Sequence, residues 1–283
     1  MPLFALTFFI GCDDPADGSD DPLVERTLES CGGSADSEVP DFYQDFFACV
    51  IMTESGGDVT LASNGLPPHP SPYYDTDSEN WVAFDERDGQ WFQNPNVIAS
   101  QDHSVTIAAE PVAKGLTIDD SLVDLSAGTS DEEYTGGLVG LAIDGVALFH
   151  ATAAPGDSIE DEKYTFDLYE GHPEQSGTYH HHSANPAALA VLKDRGYTTT
   201  TAPGEAELEL FGIMCDGTVV LGCTELDGSE APSDGLDSQA GHVHDMTGPE
   251  GELYFTNRYH THVCDGLHTH QFTPEIQYYE GCG

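Results

Sequence analysis

Short apolar or alternating runs, separated by clusters of Gly, Pro, Asn and Asp, recur along most of the chain, at residues 59–61, 81–84, 105–109, 138–149, 207–214, 218–221 and 252–259. Runs of this length, bounded by turn-forming residues, are strand signals, and many of them in series predict an all-β fold. Asp144-Gly145 divides residues 138–143 from 146–149, and Asp216-Gly217 divides 210–215 from 218–221. An Asp-Gly pair between two strands supplies the positive φ that a tight hairpin turn needs. Residues 186–193 read as helical. Residues 41–52 fit a short amphipathic helix, with Phe42, Tyr43, Phe46, Phe47, Val50 and Ile51 at helix-like spacing and expected in the core. The predicted fold is an all-β, antiparallel β-sandwich or jelly-roll-like domain with one short helix and long loops. No regular repeat of solenoid or propeller type is visible.

The first residues, Met1-Pro2-Leu3-Phe4-Ala5-Leu6-Thr7-Phe8-Phe9-Ile10-Gly11-Cys12, form an apolar run ending in a small residue and a cysteine, with Asp13 and Asp14 directly after. This pattern resembles the lipobox of bacterial lipoproteins, although no basic residue precedes the run and Phe9 stands where leucine is usual. A bilayer needs about 20 apolar residues to be crossed, so residues 1–12 are expected to be a lipoprotein signal peptide with lipidation at Cys12. Residues 13–54 read as an acidic, Cys-containing stalk and 55–283 as the β domain. The expected location is the cell envelope, extracytoplasmic, lipid-anchored to a bacterial membrane and touching it through that anchor only.

Cys31, Cys49, Cys215, Cys223, Cys264 and Cys282 remain. An even number in an exported chain points to disulfides. Proximity favours Cys31 with Cys49, Cys215 with Cys223, and Cys264 with Cys282. Zinc held by thiolates is discounted because no Cys-x-x-Cys pair occurs. The chain carries 51 acidic against 7 basic residues, a formal net charge of -44. Such a field repels polyanions and excludes nucleic acid as a partner, and anionic membrane surfaces repel it equally. The acidity suits a solvated surface in a salty environment. Calcium or mineral binding by clustered carboxylates is the alternative.

The chemistry lies in histidine. Ten of the 13 histidines fall between positions 172 and 270: His172, His180, His181, His182, His242, His244, His260, His262, His268 and His270. Residues two apart on a strand share a face, about 6.5 to 7 Å from each other. A His-x-His pair therefore aims two imidazoles at one site, and His180/His182, His242/His244, His260/His262 and His268/His270 all have that spacing. A two-residue turn at Asp265-Gly266 would put His268 and His270 on the face opposite to His260 and His262. The inner pair is then His260/His262. His172, His180, His182, His242, His260 and His262 are the expected metal ligands, three or four of them holding one ion. His180, His182, His260 and His262 are expected to converge on it with His172 and His242 close by, and binding should weaken below about pH 6.5 as protons compete for the rings.

Several segments, in order along residues 63–282, resemble the YHYH-domain family, named for a Tyr-His-Tyr-His motif. They are Ser63-Asn64-Gly65-Leu66-Pro67-Pro68-His69-Pro70, then Gln101 and the alternating strand after it, and Gly140-Leu141-Ala142-Ile143-Asp144-Gly145-Val146. Gly171-His172, Gly177-Thr178-Tyr179-His180-His181-His182, Phe211-Gly212 with Asp216-Gly217, Gly241-His242, Tyr259-His260-Thr261-His262 and Gly281-Cys282 follow. His181 and Thr261 replace the second tyrosine in the two occurrences of the motif, and Ser238-Gln239-Ala240 stands where the family usually has a cysteine before Gly-His. The resemblance implies a fold and a site but no reaction.

Three functions fit these residues. The first is an extracytoplasmic copper- or zinc-binding protein, copper ahead of zinc because copper binds tightest of the divalent ions. The second is a metal-dependent hydrolase or oxidase with an open His-ligated site, in which His69, Asp216 or Asp237 serves as an acid, a base or a support. The third is an adhesion or structural surface module. No nucleophile elbow, His-Glu-x-x-His or phosphate loop names a substrate, and protein partners are not specified by the sequence.

Overall fold

The computed structural model describes residues 27–123, 132–153, 158–264 and 272–282. Cys12, the segment 1–12, the Asp265-Gly266 turn, and His268 with His270 lie outside them. Among the described residues no helix is long and apolar enough to cross a membrane.

The fold is all-β. Its smaller sheet has the order β1-β2-β3-β4, with β1 Ser34–Ala35, β2 Ile51–Ser55, β3 Asp58–Ser63 and β4 His103–Ile107. Alternation sorts this sheet as expected: Val59 pairs with Ile107 and Leu61 with Val105 on the buried side, while Thr60 and Thr106 join hydroxyls at 2.9 Å on the exposed side. The first helix, α1 (Asp41–Phe46), buries Phe42, Tyr43 and Phe46. The β2–β3 hairpin spans residue 55, and residues 39–52 contribute to the same core as the sheets. That region packs with the β domain and does not form the separate stalk expected up to residue 54.

The larger sheet has the order β11-β12-β10-β9-β5-β6-β8-β7. Its strands are β5 (Gly140–Ala142), β6 (Ala147–Leu148), β7 (Gly171–Pro173), β8 (Tyr179–His181), β9 (Leu210–Met214), β10 (Val219–Leu221), β11 (Gly241–Thr247) and β12 (Leu253–His262). Both Asp-Gly hairpins form, with Gly145 and Gly217 at φ of 82° and 95°. Three pairings, β1 with β2, β6 with β8 and β10 with β12, are parallel, so the sheets are mixed and not purely antiparallel. Leu141 and Ile213, wholly buried at the middle of this sheet, share one apolar cluster with Leu61 and Ile107 of the smaller one. Burying each such side chain stabilises by roughly 1.5–3 kcal/mol.

Besides α1 there are a four-residue helix α2 (Ile159–Glu162) and α3 (Pro186–Asp194). Helix α3 is the one expected at 186–193, and it is capped by the Asn185 side chain accepting from the Ala188 N–H at 2.8 Å. Residues 81–84 are not a strand: Trp81 makes one isolated bridge to Ser71, and Trp81 and Val82 are exposed.

All six expected cysteines are in disulfides. Cys31 joins Cys49, as proximity suggested, but Cys215 joins Cys282 and Cys223 joins Cys264. The parallel pairing of Leu221 with His262 runs both chains out of the sheet side by side, which brings Cys223 against Cys264. The backbone N–H of Tyr279 donates to Asp216, which carries the C-terminal segment back to the β9–β10 turn and Cys215. Three disulfides suit an oxidising, extracytoplasmic compartment.

Candidate metal centres

At one edge of the larger sheet, His172 on β7 lies directly opposite His180 on β8, and His182 follows two residues on, facing the same way. The Nε2 atoms of His172 and His180 are 3.0 Å apart, as are those of His180 and His182, and all three residues are buried. The other ring nitrogen of each is committed. His180 Nδ1–H donates to the Thr178 carbonyl at 2.9 Å and His182 Nδ1–H to the His150 carbonyl at 2.8 Å. The Thr165 hydroxyl donates to the Glu162 carbonyl, so at 2.6 Å it accepts from His172 Nδ1–H. Three Nε2 lone pairs therefore converge with no proton between them. Phe149 stacks on His180 at 3.7 Å and Phe166 lies against His172 and His182, closing the cluster with apolar rings. Burial pushes the His172 and His180 pKa well below the ordinary value. Burial also brings His182 down to about 4, only partly offset by the His150 carbonyl. The rings are neutral at pH 7, the state in which imidazole ligates a metal.

The opposite edge repeats the plan. His242 on β11 lies opposite His260 on β12, His262 follows two residues on, and His262 Nε2 is 3.2 Å from His242 Nε2. His260 Nδ1 meets the Arg258 carbonyl at 3.2 Å, and His262 Nδ1 the Gly222 carbonyl at 2.9 Å. Here a carboxylate stands among the rings. Glu225 Oε1 is 3.1 Å from His242 Nε2 and 3.4 Å from His262 Nε2, and its Oε2 is 3.1 Å from His260 Nε2 and 3.5 Å from His244 Nε2. Burial brings the His260 pKa down to about 4 in spite of Glu225. Burial raises the Glu225 carboxyl, but the His242, His260 and His262 rings outweigh it and hold that carboxyl below the usual carboxylate range. His260 and His262 are buried, whereas the His242 and His244 side chains are 20% and 39% exposed, so this centre opens to solvent.

No protein-family model, curated protein or solved structure matches this chain.

The two centres are internal copies of one device. Tyr179 OH donates to Asp167 at 2.8 Å, and Tyr259 OH to Asp237 at 2.7 Å. Asp167 N–H donates to the Gly171 carbonyl and Asp237 N–H to that of Gly241, both at 2.9 Å. Before each of these glycines the backbone turns left-handed, at Glu170 with φ 56° and at Ala240 with φ 55°. The tyrosine ring lies over the glycine in each copy, so a Cβ on Gly171 would meet Tyr179 and one on Gly241 would meet Tyr259. The Gly-His and Tyr-His-x-His segments thus belong together: glycine admits the tyrosine, the tyrosine holds the aspartate, and the aspartate ties the turn that brings the first histidine opposite the second.

All six expected ligands sit in these clusters, but not around one ion. Strands β8 and β12 are separated by β6, β5, β9 and β10, five strand spacings or about 24 Å at about 4.8 Å each. The single convergence expected for His180, His182, His260 and His262 is therefore replaced by two centres, His172/His180/His182 and His242/His244/His260/His262 with Glu225. Glu225 and His244 complete the second. His244 carried a signal, its spacing from His242, but Glu225 carried none, being one acid among 51 acidic residues. Of the expected acid, base or supporting groups, Asp237 supports the open centre through Tyr259 and Gly241, whereas Asp216 and His69 lie apart from both centres. Asp216 accepts from Thr218 and Tyr279 inside the core, and His69 lies with His181, whose chain neighbours His180 and His182 both belong to the first centre.

Proposed function

We propose that this protein is an extracytoplasmic transition-metal-binding protein with two histidine centres, one enclosed and one open, each holding one ion, copper ahead of zinc. One observation carries the reading: the Nε2 lone pairs of His172, His180 and His182 meet at 3.0 Å while every Nδ1–H is already engaged. Lone pairs brought together in a buried site repel unless a cation lies between them. Nitrogens held about 2.0–2.1 Å from a tetrahedral ion lie about 3.3–3.4 Å apart, close to the spacing here. Imidazole donors suit copper and zinc, and a carboxylate stands beside each centre, Glu162 Oε1 at 3.6 Å from His172 Nε2 in the first and Glu225 among the rings of the second.

The partial exposure of His242 and His244 beside Glu225 favours a second reading for that centre alone, a metal-dependent hydrolase or oxidase with an open coordination position. There Glu225 would ligate the ion or move a proton. The YHYH resemblance supports a shared fold and site. The apolar run before Cys12 and the acidic residues after it support a lipid anchor at that cysteine, so that only the anchor meets the membrane.

Copper titrated into the purified protein, followed by isothermal calorimetry and by electron paramagnetic resonance with nitrogen hyperfine structure, tests the reading. Two bound ions with imidazole nitrogens are expected. Absence of tight binding by folded protein, with disulfides intact, would leave an adhesion or structural module.

A further inference from the structure

A third convergence lies on the other face of β8. His181, between the two ligands of the enclosed centre, points away from them toward Asp144 in the β5–β6 turn and His69 in the Leu66-Pro67-Pro68-His69-Pro70 loop. All three residues are buried. His69 Nδ1–H donates to the Pro70 carbonyl and His181 Nδ1–H to the Glu170 carbonyl, both at 3.0 Å, which leaves each Nε2 as a bare lone pair. Asp144 Oδ1 accepts from the Val146 N–H at 3.1 Å. Among the described residues His69 Nε2, His181 Nε2 and Asp144 Oδ2 have no hydrogen-bond partner, and all three atoms lie within 4.8 Å of one another. No donor from elsewhere among the described residues reaches any of these three atoms.

The other half of the sheet provides the comparison. Asp216 occupies the place of Asp144 in the β9–β10 turn, and Thr261 the place of His181 between two ligands. There the protein satisfies the aspartate itself, with the Thr218 N–H at 2.9 Å, the Thr218 hydroxyl at 3.1 Å and the Tyr279 N–H at 3.0 Å. Asp144 receives only the first of these donors, and two histidines face its free oxygen. Where one copy places protein donors, the other places metal-ligating atoms.

We infer that His69 Nε2, His181 Nε2 and Asp144 Oδ2 bind one divalent ion of the zinc class, a buried staple between the His69 loop and the eight-stranded sheet. The 3.8 Å between His181 Nε2 and Asp144 Oδ2 is too long for a hydrogen bond and fits two bonds of about 2.0–2.2 Å to one ion. The stacking of His69 on Tyr169, with centroids 3.7 Å apart, holds its ring in place. The mixed oxygen and nitrogen set selects zinc over cuprous copper. Because the site is closed, the ion enters during folding.

The test is the zinc content of protein produced in zinc-supplemented medium and dialysed against a chelator. The variant His172→Ala/His260→Ala, which disables both histidine centres, is expected to keep one zinc per chain, and adding His181→Thr or His69→Gln is expected to remove it. A folded His172→Ala/His260→Ala protein without zinc overturns the proposal, as does zinc that survives both further substitutions. A proton shared by His181 and Asp144 is the competing occupant and predicts the zinc-free result. If the further variants fail to fold, zinc-edge X-ray absorption of the first variant decides. Two imidazole nitrogens with carboxylate oxygen support the staple, and any other donor set sinks it. Loss of copper binding at the two histidine centres leaves this result unchanged, so the two readings fail separately.

Discussion

Leu141 and Ile213 pair directly across antiparallel β5 and β9 at the centre of the eight-stranded sheet, and a two-fold axis through this pair exchanges the two halves of the sheet. The flanking pairs obey the same operation. Gly140 opposite Met214 becomes Gly212 opposite Ala142, and both pairings are present. Carried outward, the operation exchanges β6 with β10, β8 with β12 and β7 with β11, so His180 maps onto His260 and His172 onto His242. Ala147 beside His180 and Val219 beside His260 complete the match.

Two centres about five strands apart and without shared ligands should behave independently. His180→Ala is expected to abolish one of two copper sites and His260→Ala the other, each weakening its own site at least tenfold and leaving the second unchanged in calorimetry. The double variant should bind copper at neither centre. A single substitution that removes both ions would mean that the halves are coupled.

The strands, both Asp-Gly hairpins and the shared face within each His-x-His pair were legible in the sequence because each is a local pattern with period two. What escaped was lateral order. Nothing in residues 179–182 or 259–262 tells which strand lies beside them, and the parallel pairings of β6 with β8 and β10 with β12 are long-range contacts. The disulfide partners of Cys215 and Cys223 escaped for the same reason. The duplication was hidden because the offset between copies drifts, from 72 residues at Asp144 and Asp216 to 70 at His172 and His242 and 80 at His180 and His260. Only residues that perform a contact, such as Tyr179 with Tyr259 and Gly171 with Gly241, are kept alike.

Glycine at those last positions should be indispensable to its own centre. Gly171→Ala drives a methyl group into the Tyr179 ring, and Gly241→Ala drives one into Tyr259. Each is expected to destabilise by about 1–3 kcal/mol through overpacking, measured by denaturant unfolding. Each should also lower metal affinity only at the centre on its side of the axis. Equal loss at both centres would contradict the Gly–Tyr account.

The Cys223–Cys264 bridge closes 41 residues and holds the segment that carries Gly222 and Glu225. Its removal in Cys223→Ser/Cys264→Ser is expected to cost about 4 kcal/mol by chain entropy. Because the Gly222 carbonyl orients His262 and Glu225 faces four rings, the open centre should lose affinity while the enclosed centre keeps it. Copper titration of the folded variant reads the difference.

Acid should unfold the metal-free protein earlier than its carboxylates alone would predict. His182 titrates near 4 when folded, against an ordinary value of about 6.5 for an unfolded histidine. The unfolded chain therefore binds the proton first. Stability is complete above about pH 6.5 and falls as pH drops toward 4, by about 3 kcal/mol from this ring. His172 and His180, shifted in the same direction by burial, add to the loss. Glu225 works in the same direction at lower pH: its folded carboxyl is depressed, so its contribution is complete above the ordinary carboxylate value and is lost only as pH falls below it. For metal binding the same shifts extend the working range, since protons displace copper from an ordinary imidazole near pH 6.5 but reach these neutral rings only near pH 4. Metal-free protein followed by circular dichroism should thus lose stability from about pH 6.5 downward, and copper-loaded protein should hold its structure to lower pH. His182→Phe should flatten the metal-free profile, and an unchanged profile would show that burial of these rings does not set the acid limit.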